Sequence, residues 1–369
     1  MTGDDLDPAI ALRTPACDLF GVRYPIVQTG MGWVAGARLT AATSAAGGLG
    51  IIASATMTYD QLQAAIREVK DRTGNAFGVN LRSNHAEVER FVDLIVKEQV
   101  KVASFAQAPN AALVARLRDG GIVTMPTVAA PRHAEKVAAM GVDAVIAQGQ
   151  EGGGHTGTIP TSLLLPRVTA QVDIPVMGAG GFHDGRGLVA ALAWGAAGVA
   201  MGTRFLLTKE STVPDHVKQR YLVAALTDTV VTRAIDGAPQ RVIRTDLVDR
   251  LDSRIGPTAA ARAISNALRL RKLTATSLAD LLREGLAMKR TGEMSWAQVA
   301  MAANAPMLTR ATMVEGRLEA GILPTGQVTG LIDALPTVAE LIEGIVAEAT
   351  TTLFELAGRV TGRDSEQAT

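Results

Sequence analysis

AVIAQGQEGGGHTGTIPTSLLLPRVTAQVDIPVMGAGGFHDGRGLVAALAWGAAGVAMG, residues 144–202, repeats one pattern. A short, almost wholly apolar run ends in a glycine-rich turn and is followed by a stretch with helix chemistry. The runs Ala144–Gln148, Ile174–Gly178 and Gly198–Gly202 do not alternate polar with apolar, which is how strands read when both faces are covered. Helix 184–196 starts at a turn and ends near Gly195, just before the third run.

Working towards the N-terminus, the same unit recurs at Tyr24–Gln28, Gly50–Ser54, Phe77–Leu81, Val102–Phe105 and Ile122–Pro126, making eight runs in all. Their starts lie roughly 20–30 residues apart, the length of one strand, one helix and two loops. Between them, Thr58-Tyr59-Asp60-Gln61 is a capping box, and Leu62, Ala65, Ile66 and Val69 then line one helix face. Asn84 precedes a helix whose apolar side includes Val88, Phe91, Val92 and Ile95. Eight strand–helix units predict an α/β fold, a (β/α)8 TIM barrel. A doubly wound open sheet is the competitor; the count of eight and the lack of G-x-G-x-x-G after the first strand weigh against it. After Gly202 no strand series is evident. The reading is an N-terminal arm at 1–23, the barrel at 24–208, and a helical extension or cap at 209–369 that includes the last barrel helix.

Composition narrows the function. Of 369 residues 47% are hydrophobic and only 4% aromatic, so the core is built from aliphatic side chains. Lys plus Arg equals Asp plus Glu, 36 each, so no global field favours nucleic acid or an anionic membrane. One cysteine, Cys17, excludes an internal disulfide and a cysteine-based zinc site, and five scattered histidines show no metal-ligand spacing. Residues 1–16 carry Asp4, Asp5 and Asp7 rather than a basic start and apolar run, and no uninterrupted apolar stretch is long enough to span a bilayer. The expectation is a cytoplasmic protein with no nucleic-acid or membrane partner. Alanine-rich helix faces leave room for a homodimer.

In a parallel barrel, chemistry gathers where strands end. Gln148-Gly149-Gln150-Glu151-Gly152-Gly153-Gly154-His155-Thr156-Gly157 follows the sixth run. Gly153, Gly154 and their neighbours allow the backbone to approach a flat or anionic ligand, and His155 stands among them. A flexible loop with an incidental histidine is the plainer account. Gly178-Ala179-Gly180-Gly181 after run seven and Met201-Gly202-Thr203 after run eight suit a phosphate grip of backbone N–H groups, with a Thr203 hydroxyl added. Gln28-Thr29-Gly30-Met31-Gly32-Trp33 ends run one; Met31 is placed against a cofactor ring, and Trp33 either meets substrate or packs. Asn80 and Gln148 either bond a heterocycle edge or cap a loop. The other histidines, His85, His133, His183 and His216, read as surface or capping residues.

The stretch from Pro25 to Phe205 resembles the nitronate monooxygenase (2-nitropropane dioxygenase) family, whose superfamily includes flavin-dependent enoyl-thioester reductases. The likeness continues through Asp228–Thr232 and Gly326–Ile332, and Glu-x-Gly-Gly-His at 151–155 is its most specific motif. The resemblance implies FMN held by strands one, three, six, seven and eight, with His155 near the flavin as catalytic acid/base. Two departures, Gln-Thr-Gly-Met-Gly-Trp at 28–33 and Glu-Gly-Gly-Gly-His at 151–155, and the long segment 250–315 make it resemble the actinobacterial branch associated with steroid C/D-ring breakdown. That branch implies dehydrogenation of coenzyme A thioesters of bicyclic indane-type acids, with NAD(H) as a candidate redox partner. Alkyl nitronate oxidation with O2, NADH-dependent enoyl-thioester reduction and a catalytically silent flavin binder are the alternatives. Arg269, Arg271 and Lys272, within a basic cluster running from Arg262 to Arg290, read as a solvated helix face or as a dock for coenzyme A phosphates.

Overall fold

The computed structural model describes residues 8–252 and 304–361. Eight parallel strands close into a barrel: β1 (Ile26–Gln28), β2 (Leu49–Ala53), β3 (Phe77–Leu81), β4 (Val102–Phe105), β5 (Val123–Val128), β6 (Val145–Gln148), then, after a two-residue strand β7 (Gly154–His155), β8 (Val176–Ala179) and β9 (Gly198–Met201). β9 returns to β1 through the register Ile26↔Val199, Val27↔Ala200 and Gln28↔Met201. Every expected run lies on one of these strands, with ends displaced by at most two residues. Nearly all strand residues are buried, as covering on both faces requires.

The helices form where local chemistry placed them. Thr58 and Gln61 make both bonds of the capping box at the start of Tyr59–Arg72, which buries Leu62, Ile66 and Val69. Helix Val88–Lys97 buries Val88, Phe91, Val92 and Ile95. The eighth barrel helix comes from the far end of the chain. Val338–Thr361 packs between Gly185–Ala193 and Ala37–Ala45, burying Val338, Leu341, Ile342, Ile345, Val346 and Ala349 at helical spacing. A Cβ on Gly185 would sit 2.3 Å from the Ala349 nitrogen, so these two helices meet backbone to backbone.

One part of the extension, expected to be helix-rich without a strand series, is a small sheet. β10 (Thr229–Thr232) and β11 (Gln240–Ile243) form an antiparallel hairpin, and β11 also pairs with β7, giving a second sheet in the order β10-β11-β7. The hairpin anchors its own small core of Ile235, Val242, Val248, Leu308 and Ile322. β11 finds one of its partners, β7, some eighty-five residues back in the sequence, a pairing that no local pattern announces. Among the described residues no helix is long and apolar enough to cross a membrane, and no cluster of candidate ligands could hold a metal ion.

Candidate active site

The C-terminal ends of the strands collect the residues expected to carry chemistry. At β1, Gln28 is fully buried and its amide is committed to the barrel wall: Nε2 donates to the Ile51 carbonyl (3.2 Å) and Oε1 accepts from the Ile51 N–H (3.3 Å). It therefore shapes the strand end and offers little to a ligand. Thr29 is tied to Met201 through its N–H (3.1 Å), and Gly202 lies against Thr29 and Met31, so the ends of β1 and β9 form one surface. Gly30 packs on β3, where a Cβ would fall 2.4 Å from that of Asn80. Asn80 donates through Nδ2 to Ser104 (2.9 Å), leaving Oδ1 without a donor among the described residues.

The ends of β8 and β9 carry unpaired backbone donors. Gly180 and Gly181 have φ of +94° and +85°, a conformation that favours glycine. The N–H groups of Gly181, Gly202 and Thr203 have no protein acceptor among the described residues, a donor set suited to an anion. The Thr203 hydroxyl accepts from the Gly326 N–H (2.8 Å), so it is shared with the extension.

In the loop after β6 the glycines serve the chain's own packing more than a ligand. A Cβ on Gly153 would lie 2.4 Å from the Thr325 carbonyl carbon, one on Gly152 2.7 Å from Gln148 Nε2, and one on Gly149 2.0 Å from Thr161. Gly154 differs, with φ +66° and nothing within 4 Å of its added Cβ. Open space therefore lies above the residue preceding His155. Gln148 does not reach outwards; its Nε2 donates to the His155 carbonyl (2.8 Å). Glu151, which opens the Glu-x-Gly-Gly-His motif but was given no role of its own from sequence, clamps the loop: its carboxylate accepts from the Thr161 N–H (3.0 Å) and hydroxyl (2.7 Å), and its carbonyl accepts from the Gln327 N–H (2.9 Å).

His155 itself is mostly exposed, yet anchored at one nitrogen. Nε2 lies 2.8 Å from Asp236 Oδ2, and the Asp236 side chain is only 8% exposed. Gln240, directly opposite His155 on β11, donates through Nε2 to the same carboxylate oxygen (2.7 Å). Ala238 N–H donates to Asp236 Oδ1 (3.2 Å), closing a turn in which Gly237 takes φ +89°. Burial is the largest influence on Asp236 and pushes its carboxyl up; the bond and charge of His155, with Gln240 and Ala238, together outweigh it and hold the group below its ordinary value. Arg241 braces the same sheet, donating to the Gln150 carbonyl (3.1 Å) and to Thr229 (2.9 Å). Burial lowers the Arg241 pKa, against the pull of Glu151.

Asp236 and Gln240 were missed from sequence, although a signal existed. Thr229-Val230-Val231-Thr232 and Gln240-Arg241-Val242-Ile243 are β-branched runs flanking Asp236-Gly237, a turn dipeptide. Trp33 adopts φ +65° and donates through Nε1 to the Pro306 carbonyl (2.9 Å), while Arg310 lies over its ring. The extension thus holds Trp33 at the end of β1. Arg269, Arg271 and Lys272, with the rest of the basic cluster, lie outside the described residues. Of the other histidines, His85 caps a turn through Nδ1, accepting from the Glu87 N–H (3.1 Å).

Comparison with known proteins extends the picture to the whole chain. The family described as Nitronate monooxygenase matches residues 13–348. A (3aS,4S,5R,7aS)-5-hydroxy-7a-methyl-1-oxo-octahydro-1H-indene-4-carboxyl-CoA dehydrogenase of Mycobacterium tuberculosis (strain ATCC 25618 / H37Rv) is 56% identical over 345 residues, covering 93% of this chain and 97% of that protein. The protein of the same description from Rhodococcus jostii (strain RHA1) is 55% identical over 338 residues, covering 92% and 96%. Among solved structures, FabK from Thermotoga maritima superposes with a TM-score of 0.77 at 35% identity, covering 94% of this chain and 99% of that one.

Proposed function

The chain belongs to the nitronate monooxygenase family of FMN-dependent oxidoreductases, and we propose on that premise that it dehydrogenates a coenzyme A thioester of a bicyclic indane-type acid. The observation that carries the reading is the near-complete-length similarity to two indene-carboxyl-CoA dehydrogenases, joined to a histidine standing at the mouth of the barrel.

The strand ends fit FMN. The unpaired N–H groups of Gly181, Gly202 and Thr203 are the donors a phosphate takes, and the glycine conformations at 180–181 bring the backbone into reach. Asn80 Oδ1 is an acceptor free to meet a ring N–H, and Thr29, Gly30 and Met31 supply a surface beside it. When bound, FMN supplies the two-electron acceptor for the hydride equivalent that dehydrogenation releases. This chain's own part is proton handling. His155 takes the acidic proton beside the thioester carbonyl, a task matched to an imidazole near neutral pH. Gly154 leaves room for the acyl group to approach the ring, and the extension's hairpin holds the histidine backbone through the pairing of β7 with β11.

The test is anaerobic flavin absorbance of the purified holoprotein, mixed separately with a hydroxyindane carboxyl-CoA thioester, an alkyl nitronate and NADH. Bleaching by the thioester is expected, slowed ~10²–10⁴-fold by His155→Ala. Rapid bleaching by the nitronate alone makes the protein a nitronate oxidase, and bleaching by NADH alone makes it a reductase; either result overturns the reading.

A further inference from the structure

His155 has two ring nitrogens with different surroundings. Nε2 faces the Asp236 carboxylate at 2.8 Å, whereas Nδ1 has no protein partner among the described residues. We propose that Asp236 is a positioning residue that holds neutral His155 as the Nε2–H tautomer and so makes Nδ1 the atom that accepts the substrate proton. The proposal rests on the reading of His155 as the acid/base and names the atom and the residue that prepare it.

The argument is one of donor and acceptor counting. An ionised carboxylate only accepts, so the group 2.8 Å from it must present a proton. Were the ring proton on Nδ1, two acceptor lone pairs would face each other at that distance. Gln240 lies 3.2 Å from Nε2 and 2.7 Å from the same carboxylate oxygen, so two donors converge on one acceptor. That arrangement leaves the carboxylate oriented without needing the imidazole as an acceptor. Asp236 stays ionised in spite of burial, because His155, Gln240 and Ala238 all favour the charged form.

Among the described residues the surroundings leave no rival for the role. Glu151, on the loop before the histidine, spends its carboxylate on Thr161. Arg241, the neighbour of Gln240 on β11, spends its guanidinium on Gln150 and Thr229. Ile235, next to Asp236, is fully buried in the hairpin's own core and anchors the segment that carries the aspartate. The imidazole is thus held by one edge and open at the other, with its side chain 63% exposed. A histidine held in this way loses less orientational freedom when it meets a substrate, and its basic lone pair is set beforehand.

The experiment is nitrogen-15 NMR of the holoprotein labelled at histidine. In the wild-type spectrum, at a pH where His155 is neutral, Nε2 is expected to carry the proton and Nδ1 to show the shift of an unprotonated ring nitrogen; His155→Ala identifies the signal. A spectrum with the proton on Nδ1 overturns the proposal and needs no folded variant to do so. Asp236→Asn, whose amide can donate as well as accept, is expected to mix the tautomers and lower kcat by about 10–100-fold with little change in KM. An unchanged tautomer and an unchanged kcat in that variant also overturn it. The two readings fail separately. A thioester that leaves the flavin oxidised while Nε2 carries the proton sinks the substrate assignment alone; a reactive thioester with the proton on Nδ1 sinks the role of Asp236 alone.

Discussion

At the scale of single residues, the glycines around His155 show how one composition hides two roles. Gly153 is glycine because the extension passes over it, with Thr325 and Gly326 backbone atoms 2.4 and 2.5 Å from where a Cβ would stand. Neither neighbour is the end of a flexible side chain, so Gly153→Ala must push the extension off the loop. The expected cost is ~1–3 kcal/mol, as for other overpacked sites, with weakened flavin retention. Gly154→Ala meets no atom and carries only the strain of a positive φ, about 1–2 kcal/mol. Urea-denaturation midpoints check the contrast; a Gly153 variant as stable as wild type would show that the extension does not bear on the loop. Residue-level reading singled out His155 because a titratable side chain inside a glycine loop stands out. It passed over Asp236 because an aspartate before a glycine has a sufficient local explanation as a turn.

At the scale of elements, the helix Val338–Thr361 matters more to the barrel than its distance in sequence suggests. Its five larger buried side chains, Val338, Leu341, Ile342, Ile345 and Val346, contribute roughly 8–15 kcal/mol at ~1.5–3 kcal/mol each. That is comparable to the whole stability of a typical domain. A protein truncated before Val338 is therefore expected to lose its cooperative thermal transition by circular dichroism, and a retained melt near the wild-type temperature would refute the closing role. The barrel strands were legible because each apolar run is bounded by punctuation and followed by a helical period. The hairpin β10–β11 was not, although β4 and β6 are as short, because it stands outside the eightfold strand–helix repeat and one of its partners, β7, lies some eighty-five residues back.

At the scale of the molecule, the extension and the barrel are sewn together at the site itself. Thr203 and Glu151 receive N–H groups from Gly326 and Gln327, Trp33 reaches Pro306, and His155 reaches Asp236. The last tie has a pH dependence. Asp236 has a folded pKa below its ordinary value of 3.8, so its contribution is fully present above that value and is lost as pH falls through the lower, folded one. Stability measured by urea from pH 6 downwards should therefore hold this contribution to about pH 4 and lose it below. Asp236→Asn should fall less steeply over the same acid range; equal slopes would show that the tie adds nothing to folding.

What the sequence by itself determined is the barrel and the strand ends at which its candidate site residues gather. Periodicity, caps and glycine punctuation are local, and a closed array of eight strands leaves one end for the site. What only the tertiary structure decided is how that site is finished. The partner of His155, the backbone at 325–327 that packs on its loop and the eighth barrel helix all come from segments distant in sequence, because long-range pairing depends on which surfaces meet after folding. Burial then decides the chemistry: Asp236 orients an imidazole because the fold places it there, nearly out of reach of water.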